Sequence, residues 1–550
     1  MPSQFESKEA EEKWSRVWED RATYRFSEDS EAPTYVIDTP PPTVSGSLHV
    51  GHVFSYTQTD VVARYQRMRG RNVFYPMGWD DNGLPTERRV QNYFHVRCEP
   101  GAEPVDVSKL EPPDDAARKL PPKKLQRGAF IDLCVRLTAE DEKAFKALWQ
   151  RLGLSVDWSQ EYSTISEHSR RIAQLSFIDL FEKKHVYTHE APTMWDVDFK
   201  TAVAQAEVED RPMRGAFHKI RFAVEGGGEF TIATTRPELL PACVAVAAHP
   251  DDERYKALLG KNAITPLFRA PVPIFASPLV DPSKGTGILM VCTFGDATDV
   301  LWWREENLPL RQTIGRDGRM AHVEFGTAAF PSLDAAAANA VYATILGKSM
   351  SESRRLTVEA LRDPHGSADR NGAAPLVAEP EPLEHAVKFF EKGDRPLEFV
   401  SSRQWFVRLM NQRDKLIEMG DSMEWHPDFM RLRFKNWTEN LQIDWCVSRQ
   451  RYFGVPIPVW YKVTPNGETD FSQPMVPEGS RLPIDPTVDA PKGFTESQRD
   501  QPNGFTADPD VFDTWFTSSL SPQIASGWTL NPERHKKLFP MDVRPQSHEI

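Results

Sequence analysis

The sequence predicts an α/β fold, a parallel-sheet domain split by a mainly β inserted domain, and three observations predict it. A β-prone run, a Pro/Gly/Ser loop, a helical stretch and a second β-prone run follow one another between residues 34 and 75, the βαβ pattern of a parallel sheet. From about residue 215 to 345 the texture changes to short β-prone runs with Pro and Gly at close intervals. The chain has 550 residues, which suggests about three to four domains.

The elements follow in order. Residues 7–21 read as an amphipathic helix with Trp14, Val17 and Trp18 on one face and Ser7 as N-cap. Thr34-Tyr35-Val36-Ile37 is β-prone and ends at Pro40-Pro41-Pro42, because proline lacks the N–H a central strand needs. A helix starts near His49-Val50-Gly51-His52, with Val53, Tyr56, Val61 and Tyr65 among its apolar positions, and closes on Arg64, Arg67, Arg69 and Arg71. Asn72-Val73-Phe74-Tyr75 is a second strand, broken at Pro76. Residues 99–127, rich in Pro and charge, read as an exposed excursion with little core. Residues 140–152 and 167–184 read as helices, with Phe145, Leu148, Trp149 and Leu152 inward. Within the β-rich part, 230–235 and 244–247 are strands and 252–259 and 297–306 helices. Residues 363–383 read as a linker, 403–437 as helical, and 474–509, with seven prolines, as a surface loop system.

Composition excludes several classes. Apolar residues make up 40% and aromatics 11%, so wholesale disorder is ruled out. The net charge of −13 excludes a uniformly basic nucleic-acid coat, though local basic patches remain open. Cys98, Cys134, Cys243, Cys292 and Cys446 lie far apart without a CxxC pair, which argues for reduced thiols in a cytoplasm. The charged N-terminus predicts no secretory signal, and no apolar run predicts a membrane helix.

The loop after the first strand carries the chemistry. A helix N-terminus at the C-terminal edge of a parallel sheet offers free N–H groups and a dipole that favour phosphate. His49 and His52 fall on one side of it, and Gly51 between them lets a ribose or adenine approach the backbone. Two donors aimed at a polyphosphate stabilise charge that grows when the α-phosphate is attacked. The residues alone leave open two surface or capping histidines, or metal ligands lacking a nearby third partner. The arginines at 64–71 and the basic residues of 118–127 are either solvated charge or contacts to an RNA backbone.

The segment PPPTVSGSLHVGH resembles the first signature of class I aminoacyl-tRNA synthetases. Pro76-Met77-Gly78-Trp79-Asp80-Asp81-Asn82-Gly83-Leu84-Pro85-Thr86-Glu87 looks like their next active-site segment. Asp444-Trp445-Cys446-Val447-Ser448-Arg449-Gln450-Arg451-Tyr452-Phe453-Gly454 resembles the segment where their sheet resumes after a long insertion, and Asp513-Thr514-Trp515-Phe516 matches another. The wording of the first two segments is similar to the branch that charges tRNA with valine, especially its archaeal-like members. Isoleucyl and leucyl enzymes are the near relatives to exclude.

The resemblance implies a Rossmann-like catalytic domain with ATP, Mg²⁺, valine and tRNA(Val) as ligands and no membrane partner. His49 and His52 would stabilise the phosphate transition state, with Gly51 at the ATP, Asp80 would hold the valine ammonium, and Pro41, Pro42 and Trp515 would wall the pocket. Thr231-Ile232-Ala233-Thr234-Thr235-Arg236-Pro237-Glu238 resembles the threonine-rich segment of the family's hydrolytic editing domain, and Gly285-Thr286-Gly287 with Asp296 and Asp299 its partner. Thr234, Thr235 and Arg236 would bind a mischarged ester, while Asp296 and Asp299 hold its amino group or hydroxyl and position a water. Met290 stands where many relatives carry Lys, which leaves the water-positioning residue open. Residues 193–200 lack the cysteine pair of a zinc knuckle, so no structural zinc is predicted there. The implied organisation is 1–200 for a first catalytic half, 201–345 for the editing domain, 346–440 for connective residues and 441–550 for an incomplete second half. The chain stops before the family's Lys-Met-Ser-Lys-Ser loop, which predicts weak amino acid activation by these residues alone. The competing readings are an isoleucyl enzyme, an editing-only tRNA-binding fragment, and an unrelated HxGH nucleotidylyltransferase. The last leaves the 200-residue insertion and the later segments unexplained.

Overall fold

The computed structural model describes residues 6–44, 49–99, 101–366 and 373–546. The loop residues Ser45, Gly46, Ser47 and Leu48, part of the predicted linker and the last four residues lie outside them. The chain divides into two units, Met1–Tyr187 with Trp405–Ile550, and Thr188–Gln404.

The first unit opens with α1 (Ser7–Asp20). Glu6, not Ser7, precedes the helix, and no side chain caps it. Its aromatic face is only partly covered: Trp14 is 48% exposed and stacks on Trp18. Strand β1 (Thr34–Val36), helix α2 (Val50–Met68) and strand β2 (Asn72–Phe74) form the predicted βαβ unit, with β1 and β2 parallel and in register from Thr34–Asn72 to Val36–Phe74. Strand β3 (Gly78–Trp79), α3 (Leu84–Phe94), β4 (Val96–Cys98), β5 (Lys123–Leu125), α4 (Arg127–Arg151), β6 (Tyr162–Ser163) and α5 (Glu167–Glu182) follow. The pairs β3–β6 and β4–β5 are parallel too.

Several expectations change. Val61 and Tyr65 of α2 are exposed, while Asp60 is buried. Asp60 tolerates burial because Arg64 Nε donates to it at 2.7 Å, and Ser155 donates through both its backbone N–H and its hydroxyl. Arg64 and Arg67 are spent inside the protein: Arg67 donates to Ser155, and both guanidiniums lie over Tyr24. Helix α4 starts thirteen residues earlier than predicted at 140, and buries Phe145 and Trp149 but leaves Leu152 43% exposed. The 99–127 excursion is anchored, since Val107 and Leu125 sit in a core with Val90, Phe94 and Phe130.

In the second unit, strands β7 (Val186–Asp196) and β8 (Thr201–Ala202) pair antiparallel. A seven-stranded sheet is built from β9 (Val208–Val224), β10 (Glu229–Thr234), β11 (Cys243–Ala248), β12 (Asn262–Ile264), β13 (Pro271–Ala276), β14 (Ile288–Cys292) and β15 (Glu381–Phe390). Helices α6 (Ala297–Glu305), α7 (Ala335–Ile345) and α8 (Met350–Leu361) accompany it. The predicted helix at 252–259 is only a 3₁₀ turn at Lys256–Leu258. The core of this unit is apolar, with Ile220, Phe222, Val246, Phe268, Val272 and Tyr342 among its members. The start of the stretch predicted as helical from 403 belongs instead to strand β16 (Glu398–Val407).

Back in the first unit, α9 (Arg413–Ser422) and α10 (Met430–Glu439) precede β17 (Trp445–Cys446) and β18 (Ser448–Arg449). Strands β19 (Trp460–Val463), β20 (Thr469–Met475) and β21 (Phe505–Ala507) form one sheet, and β22 (Val511–Phe512) pairs with β18. Helix α11 (Thr514–Ser518) comes next. The proline-rich 474–509 stretch is more than surface, because Leu482, Ile484 and Phe505 pack with Phe177, Trp405 and Phe512. Among the described residues no helix is long and apolar enough to cross a membrane.

Trp149 is fully buried, with its ring 4.8 Å from that of Tyr56 on α2. Trp149→Ala is expected to destabilise the first unit by about 3–5 kcal/mol in chemical denaturation. A loss under about 1 kcal/mol would show that α4 does not carry this core.

Candidate functional site

The stretch after β1 is proline-rich, and Pro40, Pro41 and Pro42 can offer only their carbonyls. Pro42 O accepts from Asp80 N at 2.9 Å, Val44 N donates to Asp80 O at 3.3 Å, and Thr43 bridges Asp80 in parallel fashion. Pro41 and Pro42 are buried. His49 is the N-cap of α2, and His52 lies in its first turn with the ring centroids 3.9 Å apart. His49 N donates to His52 Nδ1 at 3.3 Å, so a neutral His52 carries its proton on Nε2 and can donate from there. Burial first, and the neighbouring His49 second, push His52 below the ordinary histidine value of 6.5. A Cβ on Gly51 would sit 3.0 Å from the His49 ring, so this glycine makes room for a side chain of the site itself.

Asp80 is 7% exposed. Thr164 donates to its Oδ1 at 3.2 Å and Ser518, in α11, to its Oδ2 at 3.3 Å. The Thr164 hydroxyl also accepts from Asp81 N at 3.2 Å and from Asn82 Nδ2 at 3.1 Å. Asn82 reaches α11 through Thr517. Gly83, at φ +87°, passes so close to α11 that a Cβ would meet Thr514 at 2.3 Å. Trp515, half-buried, is the second residue of α11, and the N-cap Asp513 accepts from its backbone N–H at 3.0 Å. Asp513 is in turn gripped by Arg449 at 2.7 Å and by Trp445 Nε1 at 3.0 Å. Glu87 accepts from the backbone N–H groups of Tyr452 and Phe453 at 2.7 and 2.9 Å. The four signature segments, 300 and more residues apart in places, therefore meet within the first unit.

Sequence reasoning assigned no task to Thr164, Ser518, Arg449 or Glu87. Arg449 and Glu87 stood inside the quoted segments, but their partners, Asp513 and the backbone of Tyr452 and Phe453, lie in other segments. Thr164 and Ser518 carry no local signal.

The second unit brings its two predicted segments together. Arg236 Nη1 donates to Gly295 O at 3.4 Å, and Gly295 N donates to Asp299 at 2.8 Å. Thr234, Thr235 and Arg236 are half-buried, and the Thr234 hydroxyl accepts from Arg236 N at 3.0 Å. Asp299 is buried and also takes the backbone N–H groups of Cys292 and Asp296, both at 3.2 Å. Asp296 is exposed and caps α6, accepting from Thr298 N and Asp299 N. Arg236 lies between two carboxylates, with Nε 3.2 Å from Glu238 and Nη2 2.8 Å from Glu398. Arg354 of α8 adds a two-pronged contact to the fully buried Glu238 at 2.9 and 2.7 Å. Glu238, Glu398 and Arg354 escaped sequence reasoning because a buried charge network has no periodic signature. Among the described residues no group of three or more His, Cys, Asp or Glu side chains could hold a metal ion.

The histidine pair gives a direct check. In an NMR titration of isotopically labelled histidines, His52 is expected to titrate below 6.5, and His49→Ala to move its midpoint upward by removing the neighbouring charge. A His52 midpoint at or above 6.5 in the unmodified protein would contradict the geometry.

A family profile described as tRNA synthetases class I (I, L, M and V) matches residues 13–106 and 107–548. Over 555 residues, all of this chain and 62% of the relative, it is 52% identical to a valine–tRNA ligase of Salinispora tropica. It is likewise 52% identical to valine–tRNA ligases of Thermobifida fusca, covering 98% of this chain and 60% of that protein, and of Leifsonia xyli, covering 100% and 64%. The chain thus spans somewhat under two thirds of the length of these relatives. With signature segments converging on Asp80 and a profile match running through almost all of its residues, the chain belongs to the class I tRNA synthetase family.

Proposed function

We propose that the chain belongs to a valine–tRNA ligase. It activates valine with ATP to valyl-adenylate, transfers valine to tRNA(Val), and hydrolyses mischarged threonyl-tRNA. The observation that carries this reading is the meeting of the four segments around a buried Asp80 whose carboxylate accepts from Thr164 and Ser518. The choice of amino acid is supported by the Salinispora and Thermobifida relatives, which are named for valine.

In this reading a valine carboxylate oxygen attacks the α-phosphorus of ATP, and pyrophosphate leaves. His52 donates from Nε2, and His49 beside it donates to the same phosphate oxygens as their charge grows. Gly51 leaves the backbone open to the nucleotide. Asp80 holds the valine ammonium, a charge-assisted contact favoured in a partly dry pocket. Pro41, Pro42 and the half-buried Trp515 size the space for a branched side chain without moving on closure. A hydroxyl of the tRNA 3′ end then attacks the adenylate carbonyl, and AMP leaves. Mg²⁺ enters with the ATP phosphates rather than through a protein cage. The reaction belongs to translation, in the cytoplasm.

Threonine has nearly the shape of valine. Valyl pockets reject it by only about 10²-fold, a known property of this enzyme class rather than a quantity of this chain. That limit calls for a second, hydrolytic site, and the second unit is the candidate. Thr234, Thr235 and Arg236 bind the mischarged 3′ ester, while Asp299 and Asp296 face its amino group and the attacking water. The oxygens of Asp299 are already engaged by three backbone N–H groups, so the exposed Asp296 is the better placed to handle water.

ATP–pyrophosphate exchange with valine, isoleucine, leucine and threonine tests the reading. Valine is expected to be the best substrate, and His49→Ala or His52→Ala to lower its rate by about 10²–10³. Asp296→Ala should let threonyl-tRNA accumulate while leaving valine exchange unchanged. Isoleucine as best substrate would overturn the amino acid, and full activity in both histidine variants would overturn the site.

A further inference from the structure

Asp81 has no task in the reaction just proposed, yet it is 1% exposed. Its Oδ2 accepts from the Ser163 hydroxyl. Its Oδ1 is buried and receives no hydrogen bond from an N–H or hydroxyl of the described residues. Such an orphaned oxygen is costly, and native structures rarely keep one. The Asp81 side chain is hydrogen-bonded to a second carboxyl, that of Glu142 on α4. Two carboxyl oxygens form a hydrogen bond only when one of them carries a proton. Glu142 lies one turn before Phe145, whose ring makes T-shaped contacts with both His52 and Trp79. The contact therefore ties α4 to the segment that presents Asp80.

We propose that Asp81 and Glu142 share one proton at neutral pH, and that Glu142, through this bond, is a positioning residue for the neighbouring Asp80. The second part rests on reading Asp80 as the ammonium-binding group. Burial raises both carboxyls, and burial followed by the charge of Asp81 pushes Glu142 up to about 8, so the pair keeps one proton at neutral pH. The other charged groups around the pair are already engaged. Asp141 is held by Arg89 of α3, Glu161 by Lys146, and Lys143 by Glu140.

Above about pH 8 the shared proton leaves, and the buried Asp81 and half-buried Glu142 repel as like charges. Asp81 then parts from α4, and Asp80, joined to it through Thr164, loses its setting. The folded chain also holds a proton that the unfolded chain releases near 4.5, so stability falls as pH rises from there toward about 8.

Two variants separate charge from contact. Glu142→Gln keeps a donor to Asp81 but cannot titrate, and Glu142→Ala removes the contact. Infrared difference spectra of the full chain should show a protonated-carboxyl band at neutral pH that fades as pH passes about 8 and is missing from Glu142→Gln. Calorimetric titration with L-valine should show affinity falling by about tenfold on the alkaline side in the unmodified protein, beyond any decline in Glu142→Gln, which controls for the amino group of valine itself. Glu142→Ala should bind weakly throughout. Absence of the infrared band, or the same alkaline decline in Glu142→Gln, overturns the proposal. If valine does not bind at all, or binds Asp80→Asn equally well, the reading of Asp80 and the positioning role fall, while the infrared band still decides the shared proton.

Discussion

One buried hydroxyl, that of Thr164, sets the geometry on which the first unit depends. It donates to Asp80 and accepts from the Asp81 backbone and the Asn82 side chain. Each of those bonds serves a different part of the molecule: the carboxylate of the site, the main chain of the segment, and the link to α11. Because the hydroxyl is fully shielded from water, no solvent molecule can replace a lost bond, and the three stand or fall together.

The two units solve the same problem with different chemistry. In the first, the carboxylate of Asp80 is held by the hydroxyls of Thr164 and Ser518. In the second, Arg236 is surrounded by Glu238 and Glu398, with Arg354 balancing the charge, so the network is neutral and rigid. A guanidinium spent on two carboxylates orders the Thr234–Arg236 turn more than it attracts an anion. In the proposed editing reaction the threonine hydroxyls are therefore the first groups an ester would meet.

The βαβ unit was legible because alternation, proline breaks and a helical period are local signals, and Thr34–Val36, Val50–Met68 and Asn72–Phe74 fall where those signals place them. Helix α2 shows where local signals stop. Its apolar Val61 and Tyr65 face outward and its Asp60 inward, because Asp60 meets Ser155, 95 residues away, which no period reveals. Strand β16 was hidden in a stretch that also contains α9 and α10, and the long-range pairing that made it a strand lies outside any short window. At the site, the signature segments named Asp80 and His49 but not Thr164, Ser518 or Glu142, whose roles come from contacts across 60 to more than 400 residues.

The central claim is that Thr164 fixes Asp80 for a ligand's ammonium group. Thr164→Val keeps the shape and removes the hydroxyl, and calorimetric titration with L-valine reads the consequence. The account predicts that affinity falls at least about tenfold, because the bond to the charged Asp80 is lost together with those from Asp81 and Asn82, with an unchanged circular dichroism spectrum. Unchanged affinity in that variant would contradict it.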